Sequence, residues 1–279
     1  MRPIRLAYRD GVTDVTGATE EPAATQPGDR PRLAVEILLV LGVSLGASAV
    51  WSLLSIIRKL TEPAPLAAQT TSMNVSVVPD RPWLDLAYQL AGIGLALVPV
   101  GLALYLLAQV CRPAAEPPHR LLGLDLRRPG HDLGWGLALA AAIGIPGLGL
   151  YLAAKALGVN TTVAPANLAA HWWTVPVLVL AACQNAIVEE VIVVGYLLTR
   201  LEQGGWRWPA AVAASAVVRG SYHLYQGFGG FVGNVVMGVV FALVWRRTRR
   251  VGPLVVAHAL IDIVAFVGYS ALKSHLAWL

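Results

Sequence analysis

Residues 174–199 read TVPVLVLAACQNAIVEEVIVVGYLLT. A run of this length and apolarity meets the requirement of about 20 residues for an α-helix to cross a hydrocarbon layer about 30 Å thick. Past its middle stand two adjacent carboxylates, Glu189 and Glu190. An ionisable side chain at mid-helix costs about 2.5–3.5 kcal/mol on insertion, so it marks a functional place by default. One stretch thus predicts both a membrane-spanning helix and the location of the chemistry.

The rest of the chain agrees with the membrane reading. Of its 279 residues, 56% are hydrophobic and only 13% charged, against about 25% charged in a soluble domain. That excludes an ordinary soluble enzyme and a wholly disordered protein. The net charge of +5 points to a bilayer surface in so apolar a chain, and no nucleic-acid partner is expected. Cys111 and Cys183 lie in or beside apolar runs without metal or disulfide spacing, and are read as packing residues.

Seven apolar stretches, near 33–57, 84–111, 133–156, 174–199, 208–225, 228–245 and 251–271, predict an all-α polytopic bundle of about seven transmembrane helices, seven to eight with a half-span. Residues 1–32 are polar and rich in Pro, Thr and Ala, as a disordered tail would be. Gly229 and Gly233 have the small-xxx-small spacing of close helix contacts, and Asn234 can act as interhelical glue. Trp172, Trp173, Trp206, Trp208 and Trp245 are read as an interfacial belt. Lys and Arg divide 15 to 5 between alternate segments, with Arg219 left inside a span. This bias predicts a multi-pass protein of the plasma membrane with a cytoplasmic N-terminus.

Interior charge is concentrated late. The first three stretches have almost none in their interiors, Glu36 and Lys155 lying near ends, whereas the last four contain Glu189, Glu190, Arg219, His223, His258 and Asp262. Glu189 and Glu190 point about 100° apart on a helix and cannot share one task. Arg219 and His223 are four apart, as are His258 and Asp262, so each pair shares a face; Asn185 lies one turn before Glu189. Two histidines, carboxylates and an amide in a membrane cavity are the parts needed to activate water and stabilise an oxyanion.

These residues resemble the CPBP intramembrane proteases, the CAAX prenyl endopeptidase and Abi family. Its motifs are Glu-Glu-x-x-x-Arg, Phe-x-x-x-His and His-x-x-x-Asn or Asp on successive helices. Here they appear as Glu189-Glu190 followed by Gly195-Tyr196-Leu197, as Arg219 to His223, and as His258 to Asp262; Gly123-Leu124-Asp125-Leu126-Arg127 is similar to the family's lead-in. The resemblance implies a catalytic membrane domain over 171–271, preceded by N-terminal helices and loops over 33–170. It implies a metalloendopeptidase acting on a membrane-associated peptide or protein, with a prenylated, CAAX-type substrate inherited from the family name. Glu189 with His223 would then activate water near the cytoplasmic face, and His258 with Asp262 would hold the oxyanion.

Two departures stand out. Val194 occupies the family's arginine position, and Arg219 its phenylalanine position. We read this as a relocated counter-ion: Arg219 neutralises Glu190 from the next helix and leaves Glu189 for catalysis. Asp262 cannot donate to an oxyanion unless protonated, so it fits better as the orienter of His258 or as a metal ligand beside His223 and His258. A divalent metal, zinc among the candidates, stays open, since no His-Glu-x-x-His helix sets a ligand pair. Two other classes stay open as well. The lost arginine favours an inactive scaffold or immunity-type binding protein of the same fold, and membrane carboxylates also serve ion-coupled transporters. Depth gives a check. Counting from the arginine-bearing ends, Glu189 lies roughly 15 Å in, His258 roughly 11 Å and His223 roughly 22 Å, so the helix before His223 must tilt or the turn after it must be sunk.

Overall fold

A computed structural model describes residues 30–110 and 117–272; most of the expected tail and Cys111 lie outside these. Among the described residues the elements are helices apart from two three-residue strands. Helices α1 (Arg30–Gly42) and α2 (Leu45–Thr61) form one apolar stretch bent by 60°. At the bend, the Ser44 hydroxyl donates to the Val40 carbonyl at 2.6 Å, which competes with the helical ladder. A second stretch, α3 (Pro82–Ala96) and α4 (Val98–Val110), is interrupted at Leu97, because Pro99 has no N–H to continue it. A short α5 (Pro118–Leu121) precedes α6 (Pro129–Ala156). Then follow α7 (Thr174–Glu189), a π-helical segment Glu190–Tyr196, α8 (Leu197–Gln203), α9 (Trp208–Ser221), α10 (Phe228–Thr248) and α11 (Gly252–Leu272).

Among the described residues, five helices are long and apolar enough to cross a membrane, or six with the bent pair taken as one span. These are six of the seven expected stretches. The remaining one, 208–225, is the 14-residue α9, roughly 20 Å long, continued by tight turns through Gln226. It lies along α10, with Trp208 stacked on Trp245 at 6.1 Å. Gly238 lets the two helices approach, since a Cβ there would stand 3.0 Å from the Ala216 Cα. The spaced glycines Gly229 and Gly233 face α6 instead, against Ala154 and Leu150. Asn234 bonds back to Gly230 of its own helix at 3.0 Å and, among the described residues, to no other helix. Nor are all the belt tryptophans peripheral: Trp172 and Trp206 are exposed, whereas Trp173 and Trp245 are buried.

The core centres on the π-helical segment, where Val191, Ile192, Val193 and Val194 are fully buried among side chains from α4, α9, α10 and α11. A second cluster, around Trp173, Leu178, Ala182 and Phe266, fills the opposite end of the bundle. That end carries a cap. β1 (Thr70–Ser72) pairs in parallel with β2 (Thr162–Ala164), Thr71 opposite Val163, and joins the loop after α2 to the loop after α6.

The arginine-rich end is held by ion pairs. Arg200 and Tyr196 both bond Glu36, which ties α1 to α8. Arg250 grips Asp132 through two nitrogens at 2.7 and 2.8 Å and Asp125 at 2.8 Å. The Val251 N–H donates to the Leu122 carbonyl at 2.8 Å, so α11 begins below the surface with Val251 and Gly252 buried. Burial opposes ionisation of Asp125, but the bond to Arg250, the Arg127 amide and the two arginine charges outweigh it and hold the carboxyl below its usual value. A carboxyl lowered in the folded state stabilises above its unfolded pKa, about 3.9, and that contribution is lost as pH falls through the lowered value. Thermal unfolding in detergent is therefore expected to show wild type losing more stability than Asp125→Asn on acidification below pH ~4; parallel curves would refute the clamp.

Candidate active site

α7 gives way to the wider π-helical turns directly after Glu189. Such turns break the regular i→i−4 ladder and often mark functional places. The two glutamates diverge there into different surroundings. Glu190, with no exposed surface, receives the Arg219 guanidinium at 2.7 Å on Oε1 and 2.6 Å on Oε2. Its Oε1 also lies 2.7 Å from His258 Nδ1. Arg219 is itself fully buried, with the Phe241 ring 5.4 Å from its guanidinium carbon. The relocated counter-ion is thus present as a pair between the π-helical segment and α9.

Glu189 is held by one oxygen only. Its Oε2 accepts the Tyr222 hydroxyl at 2.8 Å and stands 3.5 Å from Arg219, 3.6 Å from His223 Nε2 and 4.0 Å from His258 Nε2. Oε1 takes no hydrogen bond among the described residues. Asp262 completes the group, its Oδ2 lying 3.8 Å from His258 Nε2 and 3.5 Å from the Asn185 amide. All seven residues expected from the sequence therefore meet in one cluster. The carboxylates of Glu189 and Asp262 and the imidazole of His223 keep some exposure, at 10%, 19% and 16%, whereas Glu190 and Arg219 keep none.

The depth discrepancy resolves in two ways. The helix bearing Glu189 continues to Gln203, so the glutamate lies roughly 20 Å from that end, level with His223 counted from Trp208. α11, meanwhile, starts already sunk. The site is therefore near mid-bundle, deeper than expected for a site close to one face.

Polar groups that looked incidental in the sequence fix the turn that carries His223. Ser52 accepts the Tyr225 N–H at 2.7 Å, and the Lys59 ammonium donates to Thr71 and, at 2.6 Å, to the Tyr225 carbonyl. Thr161 bonds the Gln226 carbonyl through its hydroxyl at 2.8 Å and its N–H at 2.9 Å. Asn160 accepts the Gly230 N–H at 3.0 Å. Gly227, at φ 126°, packs against Asn160 where a Cβ would collide at 2.6 Å. In the sequence Lys59 is one of the five charges on the sparser side of the 15 to 5 division, and Tyr222 lies between Arg219 and His223 without a role of its own; the polar face of α2 was the available signal for the first. The cap thus serves as a jig for His223.

The donor set can accommodate a metal. Glu189, Glu190 and His258 offer ligand atoms within 4.8 Å of one another. Both Glu190 oxygens already face Arg219. His223 Nε2 lies 3.6 Å from Glu189, and Asp262 Oδ2 lies 3.8 Å from His258 Nε2, so these two residues border the trio without closing into a ligand set of their own. Both His223 nitrogens are buried without a hydrogen-bond partner, which leaves a donor to give.

With this geometry in place, comparison is informative. Residues 171–264 match the family model described as type II CAAX prenyl endopeptidase Rce1-like. The match makes this part of the chain similar to the CAAX proteases, a family that is generally proteolytic, and it covers the stretch that carries all seven site residues. No curated protein and no solved structure matches the chain.

Removing one partner of a buried ion pair leaves an uncompensated charge and costs about 3–5 kcal/mol, whereas replacing both is often close to neutral. Arg219→Met is accordingly expected to destabilise by about that amount, and adding Glu190→Gln to recover most of it, as measured by equilibrium unfolding in detergent micelles. Additive losses would refute the pairing.

Proposed function

We propose that this integral membrane protein is an intramembrane endopeptidase, with 171–271 as its catalytic part and 33–170 as supporting helices. Its substrate would be a peptide bond in a membrane-associated protein or peptide. The observation that carries the reading is the asymmetry of Glu189: four groups face Oε2 while Oε1 is free, beside a buried imidazole with no partner. That is the arrangement of a general base whose orientation is fixed and whose reactive oxygen is vacant.

In the proposed cycle, water between Glu189 and His223 loses a proton to Glu189 as it attacks the scissile carbonyl. Glu189 then returns that proton to the departing amine, so no charge remains in the site. Glu190 and Arg219 keep their pairing throughout and fix the helices; Glu190 also sets the His258 ring by accepting from Nδ1–H. The Asn185 amide and a protonated His258 Nε2 are the donors available to the oxyanion, with Asp262 orienting both. A divalent ion held by Glu189 and His258, with His223 drawn in, would take the place of the His258 Nε2 proton, polarise the carbonyl and lower the pKa of water. Arg219 also bears on the inactive-scaffold alternative: the charge lost at Val194 is supplied from α9. A cytoplasmic N-terminus in the plasma membrane follows from the arginine bias.

The test is cleavage of a quenched fluorescent, membrane-anchored peptide, with and without a prenyl group, by purified protein in liposomes. Glu189→Gln is expected to lower kcat at least ~10²-fold, the scale of a lost general base, with KM little changed; undiminished turnover would overturn the assignment. A second measurement concerns the metal. Elemental analysis after gel filtration is expected to find a divalent ion in wild type and its loss in His223→Ala; equal content in both, or none in either, would leave Glu189 alone to activate water.

A further inference from the structure

A groove of about 310 Å³ runs between α2 and the turn after α9, lined by Ser48, Trp51, Ser52, Ser55, Tyr222 and Tyr225. Its position on α2 is unusual. Around it the helix presents apolar side chains outward, with Val50, Leu53, Leu54 and Ile57 half or more exposed, as suits contact with lipid. The three serines fall at i, i+4 and i+7 and so share one face. Ser52 is buried and engaged with Tyr225, while the hydroxyls of Ser48 and Ser55 take no hydrogen bond among the described residues. Hydroxyls facing hydrocarbon without partners are costly.

What makes the groove more than a row of small residues is its far wall. The Tyr222 ring lines it, and the hydroxyl of that same ring bonds Glu189 at 2.8 Å. One phenol therefore separates the groove from the carboxylate. Length gives a second constraint. Ser48 to Ser55 spans roughly 10 Å along the helix, the length of about three extended residues at ~3.3 Å each.

We propose that this groove docks the unwound segment of a membrane-embedded peptide next to its scissile bond; the inference rests on the endopeptidase reading above. A peptide bond inside a helix is shielded by its neighbours and must be extended before water can attack. An extended segment at this depth exposes N–H and C=O groups that lipid cannot satisfy, and the Ser48 and Ser55 hydroxyls supply partners at the matching spacing. A lipid acyl chain offers them none. The segment reaches Glu189 past Tyr222, so Tyr222 is the partition between docking and catalysis.

The experiment uses the full chain in liposomes with a single-span leucine-rich peptide interrupted by a helix-destabilising segment. In a Cys111→Ala, Cys183→Ala, Glu189→Gln background, Ser55→Cys carries a thiol-attached photo-crosslinker, and Val50→Cys, on the lipid-facing side of α2, serves as control. The expected result is peptide crosslinking from position 55 at least fivefold above that from position 50. Equal yields, or crosslinks to lipid alone, would overturn the docking site. In otherwise wild-type protein, Ser48→Leu with Ser55→Leu is expected to raise KM at least fivefold with kcat within about twofold; an unchanged KM would count against the proposal. Crosslinking from position 55 together with no cleavage by wild type would sink the endopeptidase reading and leave a peptide-binding groove.

Discussion

The arrangement depends on one buried ion pair, Arg219 with Glu190. Both side chains are completely enclosed, so neither can be hydrated, and each is tolerable only because the other is there. The pair joins α9 to the π-helical segment, and His258 joins α11 to the same carboxylate. Three helices distant in sequence thus converge on Glu190. Because that residue is saturated, Glu189 beside it remains available, and the two adjacent glutamates divide into a fully enclosed, paired one and a partly exposed one with an oxygen to spare.

The opposite face of the site is fixed differently. No charge pair holds the turn after α9; backbone groups of Tyr225, Gln226, Phe228 and Gly230 are instead met one by one by α2 and the cap loops. Buried backbone groups without partners are expensive, so this network makes a non-helical turn permissible inside an apolar bundle. It also keeps His223 close to Glu189 without a direct bond between them.

Much of this was legible in the sequence because membrane insertion makes every interior charge conspicuous. Seven polar residues in the last four apolar stretches could be grouped by helical spacing alone, and the exchange of Val194 for Arg219 pointed to a pairing between helices. The π-helical segment was not legible. A run such as Val191–Val194 has the composition of an ordinary helix, and nothing in the residue types signals a widened turn. The short α9 was missed because apolar length was counted through Ser221 to Tyr225, where the backbone turns tightly. Lys59 escaped notice for a related reason, since a lysine just past an apolar stretch reads as a loop charge whether it reaches solvent or a buried carbonyl.

The cap carries an implication for biogenesis. β1 and β2 lie about ninety residues apart, and the turn they brace lies some sixty further on. Contacts so distant in sequence form late and slowly. Synthesis from the N-terminus delivers Lys59, Thr71 and Thr161 to the membrane before the His223 turn emerges, so the brace can be waiting as a template when α9 inserts. In the segment that resembles the protease family, the histidine turn is thus braced by residues that precede that segment in the chain.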